Sequence, residues 1–430
     1  MQEDGYLTPS QAQEAASRPL PLERAVLDGG EHAFWYAQEA ARRFLVSEAG
    51  VENVYGSGGE AFTTFVPAVQ RAAHAAVRAG AVSVDRMSGW RGPLARRVPV
   101  PVDWSEAGIL APAGLEDWRV AVVTEVGKDA RAVTADGEAT LRGADMSWAS
   151  RSGRADSVLS PGDAVLVADL GRGDELVQVP AVQAAAAVID PRNGHILALA
   201  GGFSGETSEF DRATQASRQV GSAFKPFVYL SAIEEGFDAM SPVMDSPISL
   251  DQEGQADWRP RGGSSGGMGL ITLRRSLELS RNLSTVRLLY DIGMDKVRDT
   301  AARAGLDIPS DAGWSTALGV TEASPLALAA AYGALANGGQ RVRPSLFSSL
   351  ASVGPGSFDP VSVAQINSIL EGVITHGTAA SAFRGFDRPL AGKTGTTNAG
   401  RDVWFAAYGP AFVVVAWVGM DDMSPLPRGA

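Results

Sequence analysis

The sequence predicts an α/β fold, a five-stranded antiparallel sheet sandwiched by helices with a small β module inserted ahead of it. Three observations carry that reading. Two apolar runs, residues 185–190 and 195–200, flank Asn193-Gly194, a pair able to supply the positive φ of a tight hairpin turn. Three further strand-like runs follow one another at 390–396, 402–408 and 411–419, with Gly409-Pro410 in the second turn. Residues 271–336, between hairpin and trio, are helical in pattern, so helices can cover a sheet built from two separated parts of the chain. Both hairpin arms are apolar on both faces, which predicts cover on each side.

Taken in order, residues 1–56 mix short amphipathic helical pieces, among them 9–13 and 34–44, with loop signals. They are too thin for a core and read as a linker. Residues 60–65 predict a strand and 67–80 a helix with alanines on one face. From 93 to 180 short runs at 120–126, 130–133, 164–168 and 176–179 are broken by glycine and aspartate, as in a small antiparallel barrel. The other reading is that these strands extend the main sheet. Residues 57–92 and 181–430 then form the principal domain, in which 326–335 is rich enough in small apolar residues to be a buried helix.

Composition narrows the function. At 430 residues, with 45% hydrophobic and 20% charged, the chain has material for two or three domains with a real core. A net charge of -12 and the lack of any basic run argue against nucleic acid or an anionic membrane surface as the main partner. With no cysteine there is no thiolate chemistry, and the four histidines, His32, His74, His195 and His376, lack metal-ligand spacing. No metal or other cofactor is expected. No apolar run reaches bilayer length, and the first residues do not read as a signal peptide.

Chemistry concentrates around residues 221–226, Gly-Ser-Ala-Phe-Lys-Pro, followed by an apolar run that ends at Gly236. A helix from about Ser222 to Gly236 follows, with Pro226 in a first turn that has no N–H partner to lose. Ser222 and Lys225, at i and i+3, then share a face. A lysine made neutral by burial and a nearby cation can take the hydroxyl proton of a serine nucleophile, whereas arginine cannot. Only Lys128, Lys225, Lys296 and Lys393 are lysines among 37 basic residues, and two of these four lie in the motifs discussed here. A lone Ser-x-x-Lys is common by chance. Two further motifs follow it: Ser280-Arg281-Asn282, between two helical runs, and Lys393-Thr394-Gly395-Thr396, on the first late strand, where glycine would let a ligand backbone approach.

The three motifs in this order, on helix, loop and strand, form the signature of penicillin-recognising serine enzymes. The chain resembles the transpeptidase domain of class A penicillin-binding proteins, and the flanks agree: residues 210–215, 218–221, 317–320, 336–339, 404–408 and 417–422, with 63–64 and 69–72 resembling the linker that enters the domain. Residues 93–180 resemble the oligonucleotide/oligosaccharide-binding (OB) fold insert of some members.

The resemblance implies a penicillin-binding/serine β-lactamase-like fold with an all-helical subdomain, and it implies roles. Ser222 would attack the penultimate D-Ala carbonyl of a stem pentapeptide, and Lys225 would be its base. Ser280 and Asn282 would relay the proton and hold the peptide amide. Lys393, Thr394 and Thr396, with Gly395 between them, would bind the terminal carboxylate, and the backbone amides of Ser222 and Thr396 would form the oxyanion hole. Peptidoglycan stem peptides and β-lactam antibiotics are the implied ligands, and cell-wall synthesis proteins could meet the insert. Family members carry an N-terminal membrane helix and a glycosyltransferase domain, so the sequence reads as a fragment of an extracytoplasmic enzyme. Without the family's closing helix, the face bearing Val413, Val415 and Trp417 is expected to lie partly open. Residues 261–269 depart from the family's aromatic-containing stretch.

Rival readings are a D,D-carboxypeptidase or β-lactamase-like hydrolase of the same fold, and a catalytically idle cell-wall scaffold. The first shares all three motifs. The second gives no reason to keep Ser222, Lys225, Asn282 and Lys393 together. A phosphate loop ending at Lys393-Thr394 fails because its first glycine would fall on Asp387.

Overall fold

The computed structural model describes residues 8, 32–56, 60–104, 108–109, 111–112, 114–115, 117–251, 257–260, 266–427 and 429. The expected helical piece at 9–13 lies outside them. Helix α1 (Trp35–Ala49) buries Tyr36, Ala37 and Ala40 on one face. The Tyr36 hydroxyl donates to the carbonyls of Ser208 (2.8 Å) and Ser204 (3.1 Å). Residues 60–65, expected as a strand, run extended without joining a ladder. Thr64 is tied there by its N–H to the Leu346 carbonyl (2.8 Å) and by its hydroxyl to that of Ile196 (2.8 Å).

Helix α2 (Pro67–Arg86) starts on a proline as expected but runs past Gly80. A helical glycine costs only about 1 kcal/mol, and buried Val77, Ala81 and Asp85 hold the extra turns. Asp85 accepts from Arg91 Nη1 (2.9 Å), Gln178 Nε2 (2.8 Å) and the Ala181 N–H (2.9 Å), so one carboxylate fastens both connections of the inserted module.

That module contains β1 (Trp118–Val126), β2 (Ala130–Thr134), β3 (Gly137–Leu141), β4 (Ala164–Asp169) and β5 (Asp174–Val177) in the antiparallel order β3-β2-β1-β4-β5. Its sheet shares no strand with the main one, which excludes the extension reading. Strand β3 has no counterpart in the sequence reading, because only Ala139 and Leu141 alternate inward. One face of β1 and β4 packs within the module. The other joins Val77 and Ala81 of α2 and Phe203, with the Trp118 and Phe203 rings 5.5 Å apart. The module is thus less separate than its composition suggests. Excising residues 93–180 should lower thermal stability by exposing Val77, Ala81 and Phe203. It should leave β-lactam acylation within roughly tenfold, about 1.4 kcal/mol in barrier, because no member of the three motifs lies in the module. Melting curves and acylation rates of the excised protein check both, and a soluble folded protein that no longer acylates would refute the second.

The main sheet combines β6 (Gln183–Ile189) and β7 (Ile196–Ala200) with three strands from the end of the chain. Their hairpin is longer than an Asn-Gly turn, since only Gly194 takes positive φ (79°), where a Cβ would meet the Arg343 carbonyl at 2.7 Å. Helix α3 (Lys225–Glu234) follows a 3-10 turn at Gly221–Phe224 and is buried at every position from Lys225 to Ile233, as a central helix must be. Next come β8 (Pro242–Asp245), β9 (Gly269–Thr272), and the helical subdomain of α4 (Leu273–Glu278), α5 (Asn282–Ile292) and α6 (Met294–Ala304). The buried helix expected at 326–335 is α7 (Pro325–Ala336), capped by Ser324 Oγ accepting from the Ala327 N–H (3.1 Å). After α8 (Pro360–Thr375), strands β10 (Ala391–Thr396), β11 (Asp402–Gly409) and β12 (Phe412–Gly419) complete the order β10-β11-β12-β6-β7, all antiparallel.

The β12–β6 register pairs Val413 with Ile189, Val415 with Ala187 and Trp417 with Ala185. These residues are at most 1% exposed and belong to the central cluster with α3 and α7. The expectation that Val413, Val415 and Trp417 lie open is therefore wrong. The opposite face, with Val414, Ala416 and Val418, lines an apolar groove of ≈ 540 Å³ against α2. Residues 412–418 are apolar at both parities, so a period of two could not say which set faces the core.

Candidate active site

Ser222 sits on the 3-10 turn, not on the α-helix proper, which begins at Lys225. Ser222 and Lys225 thus stand either side of the junction of turn and helix, and among the described residues the hydrogen-bond partners of the Lys225 amine lie on residues 280–282 and not on Ser222. The turn is pressed between two backbones. A Cβ on Gly221 (φ 53°) would come within 2.6 Å of the Thr396 carbonyl, and one on Gly319 within 1.8 Å of the Gly221 carbonyl. The backbones of Ser222 and Thr396, the two expected oxyanion donors, are thereby brought side by side. Ser222 Oγ has no hydrogen-bond partner among the described residues.

The Lys225 amine is fully buried and donates to the Ser280 carbonyl (2.6 Å), Asn282 Oδ1 (2.7 Å) and the Arg281 carbonyl (3.1 Å), with Ser280 Oγ at 3.4 Å. Burial holds its pKa well below the ordinary lysine value, and the charges of Lys393 and Arg281 push the same way against Asp245. Lys393 on β10 is also fully buried. It donates to Ser280 Oγ (2.8 Å) and the Thr394 carbonyl (3.0 Å), and burial pulls its pKa down to about 7. Four of the five catalytic candidates thus meet in one hydrogen-bonded cluster beside the fifth, Ser222.

Ser280 stands between α4 and α5 in a left-handed conformation (φ 54°). Its N–H bonds the Leu277 carbonyl and that of Arg281 bonds Ser276, the Schellman pattern that closes helices and ordinarily uses glycine at this position. A serine there is strained by about 1 kcal/mol, and its hydroxyl is the group between the two lysines. Ser280→Gly and Ser280→Ala should both acylate about a hundredfold more slowly. The glycine variant should be the more stable by about 1 kcal/mol, because it alone relieves the backbone. Acylation kinetics with denaturant titrations of both variants check this, and equal stabilities would show that the turn stores no strain.

Along β10, Lys393 and Gly395 point one way and Thr394 and Thr396 the other. Gly395 presses against the 3-10 turn: a Cβ there would meet the Val220 carbonyl at 2.8 Å and Ala223 Cβ at 3.0 Å. The glycine admits the serine-bearing turn, not a ligand as the motif alone suggested. Thr394 Oγ1 lies 2.8 Å from Thr378 Oγ1, whereas Thr396 is exposed beside Ser222.

Ser222, Asn282 and Thr396 line a cleft of ≈ 120 Å³ with Leu318, from the flank at 317–320, and with Trp258 and Ser315, which no motif marked. Trp258 supplies an aromatic wall just ahead of the departing stretch, of which residues 261–265 lie outside those described. Asp245 was also missed. It is fully buried and accepts from Arg281 Nε (2.9 Å) and the N–H groups of Met268 (2.9 Å) and Ser284 (3.3 Å). Burial alone would raise its pKa, but these donors hold it below the usual carboxylate value. Its only sequence trace is the arginine inside Ser-Arg-Asn, a cation needing a partner. Among the described residues no cluster of three potential metal ligands occurs.

The family model of the penicillin binding protein transpeptidase domain matches residues 184–422. The chain belongs to this family. A second model, the penicillin-binding protein OB-like domain, matches residues 90–182. Penicillin-binding protein 1A of Rickettsia typhi is 32% identical over 472 residues, covering 100% of this chain and 60% of the relative. The chain therefore spans about three-fifths of that relative's length. The crystal structure of penicillin-binding protein 1A from Haemophilus influenzae aligns over 100% of this chain and 72% of its own, with a TM-score of 0.84 and 27% identity. The PonA1 protein from Mycobacterium tuberculosis in complex with penicillin V aligns over 58% of this chain and 72% of its own, with a TM-score of 0.50 and 27% identity. The fold expectation, an α/β sandwich of the penicillin-binding type with an OB-like module, holds.

Proposed function

We propose that this chain is a D,D-transpeptidase working through a serine acyl-enzyme on peptidoglycan stem peptides. The observation that carries the reading is the convergence of Lys225, Ser280, Asn282 and Lys393 beside an unengaged Ser222 hydroxyl in an open cleft. Ser222 Oγ attacks the carbonyl carbon of the penultimate D-Ala while its proton passes to neutral Lys225. The negative charge formed on the carbonyl oxygen is met by the N–H groups of Ser222 and Thr396. The C–N bond then breaks, the proton travels by way of Ser280 to the leaving D-Ala amine, and the acyl group stays on Ser222. An amine of a second stem peptide takes the acyl group, restoring the hydroxyl and forming the cross-link.

Thr396 and Thr394 are the hydroxyls offered to the substrate carboxylate. Lys393, directed at Ser280 from beneath, serves as the cation of the relay more than as a surface anchor. A β-lactam presents the same carbonyl and carboxylate, so it acylates Ser222 and its amine stays tethered. The reading places the protein on the extracytoplasmic side of the membrane, with the module at 93–180 available to cell-wall synthesis partners or peptidoglycan.

Intact-mass measurement after mixing with a penicillin tests the proposal. A long-lived one-to-one adduct mapped to Ser222 supports it. Rapid loss of the adduct with drug turnover would favour the hydrolase, and no adduct at all would favour the idle scaffold.

A further inference from the structure

Behind Lys225 lies a run of hydroxyl groups that the catalytic reading does not use. Thr285 Oγ1 donates to the Arg281 carbonyl (2.5 Å) and lies 3.0 Å from the Tyr229 hydroxyl. Tyr229 lies 2.6 Å from Ser276 Oγ, which lies 2.5 Å from Ser284 Oγ. All four side chains are essentially unexposed. The Arg281 carbonyl at the end of the run is one of the four acceptors around the Lys225 amine.

Counting protons sets the direction. A carbonyl can only accept, so the single Thr285 proton is committed to Arg281. The contact between Thr285 and Tyr229 then needs the Tyr229 proton. Tyr229 must accept from Ser276, and Ser276 from Ser284. Burial raises the Tyr229 phenol above its ordinary value, so the proton stays on the ring oxygen. All four O–H dipoles therefore point from Ser284 toward Arg281, and hydrogen bonds in such a run strengthen one another.

We propose that this one-way chain, Ser284 to Ser276 to Tyr229 to Thr285 to the Arg281 carbonyl, is a built device that favours the neutral Lys225 amine, with Tyr229 as its central positioning residue. Two effects act together. The chain aims the positive ends of its dipoles at the lysine, and it shares the Arg281 carbonyl with the lysine, which weakens that oxygen as an acceptor for the ammonium. Consistent with that sharing, the contact to the Arg281 carbonyl (3.1 Å) is longer than those to the Ser280 carbonyl (2.6 Å) and Asn282 Oδ1 (2.7 Å), with Ser280 Oγ farther still at 3.4 Å. An ammonium uses three acceptors whereas an amine donates two protons and keeps a lone pair, so weakening this contact selects the base form. The charged groups facing Lys225 are Lys393 from β10, Arg281 from the α4–α5 turn and Asp245 from β8. Arg303 of α6, which packs farther along α3, is occupied by Glu234 (2.6 Å).

The inference rests on Lys225 being the base, and the test separates the two. Second-order acylation by a penicillin would be measured from mildly acidic to alkaline pH for the parent, Tyr229→Phe, Thr285→Val, Thr285→Ser and Lys225→Arg. Loss of the chain lets Lys225 hold its proton to higher pH. In Tyr229→Phe and Thr285→Val the acid limb should move up by roughly half to one pH unit, about a three- to tenfold loss on the acid side, with the alkaline limb, set by Lys393, unmoved. Thr285→Ser, which keeps the hydroxyl, should retain the parent acid limb. A parallel drop at every pH, or an unmoved acid limb, overturns the proposal while Lys225→Arg remains inactive. If Lys225→Arg acylates normally, the base reading fails and the chain has nothing to tune. Should Tyr229→Phe not fold, Thr285→Val against Thr285→Ser still decides.

Discussion

Ser222→Ala should fold like the parent and gain no mass on mixing with a β-lactam. The substitution deletes one oxygen that has no hydrogen-bond partner among the described residues and opens onto the cleft, so neither packing nor a polar partner is lost. The surrounding cluster, Lys225 on Ser280 and Asn282 and Lys393 on Ser280, does not depend on it. Stability should stay within about 0.5 kcal/mol, as for a substitution away from core and network. Chemistry should fall to nothing measurable, because the hydroxyl that the proposed mechanism uses as its nucleophile is gone. Intact mass, peptide mapping and a melting curve on one preparation check all three points. Labelling that persists at another serine would sink the assignment.

Lys225→Arg should be nearly as damaging, and for a different reason. The parent amine can be neutral at working pH because burial and the charge of Lys393 disfavour the ammonium. As pH rises through its lowered pKa the base form accumulates, so acylation should climb on the acid side, and it should fall again above about 7 as Lys393 loses the charge the relay uses. A guanidinium stays charged throughout, so the variant should lose about 10²–10⁴-fold in acylation rate and show no rising acid limb. It also brings a larger cation into a fully buried space whose acceptors fit a point donor, so some loss of stability should accompany the change. Stopped-flow acylation against pH checks the rate, and acylation near the parent value would place the base elsewhere.

The three motifs were legible because they are local patterns of residue types. Ser-x-x-Lys, Ser-x-Asn and Lys-Thr-Gly are each a few residues long, and their order along the chain survives without coordinates. The main strands were legible for a similar reason: Asn193-Gly194 marks one turn, Gly409-Pro410 another, and the runs between are long and apolar. Strand β3 was not, since two inward residues make no period, and residues 60–65 have strand composition but meet only scattered partners.

By itself the sequence determined which residues are candidates for the reacting groups, the order of sheet and helices and the exclusion of thiol chemistry, all of which are properties of residue types and their spacing. Tertiary structure decided everything that depends on two distant segments meeting. It placed Val413, Val415 and Trp417 inward, because either parity of an apolar strand can face a core and only the packed helices choose. It gave Ser280 its left-handed backbone, turned Gly395 toward the serine-bearing turn, and brought Asp245 to Arg281 and Trp258 to the cleft. Above all it supplied the burial of Lys225 and Lys393. The pKa of a lysine is set by the water and charge around it, and those are fixed only when the helix, the turn and the strand close on one another.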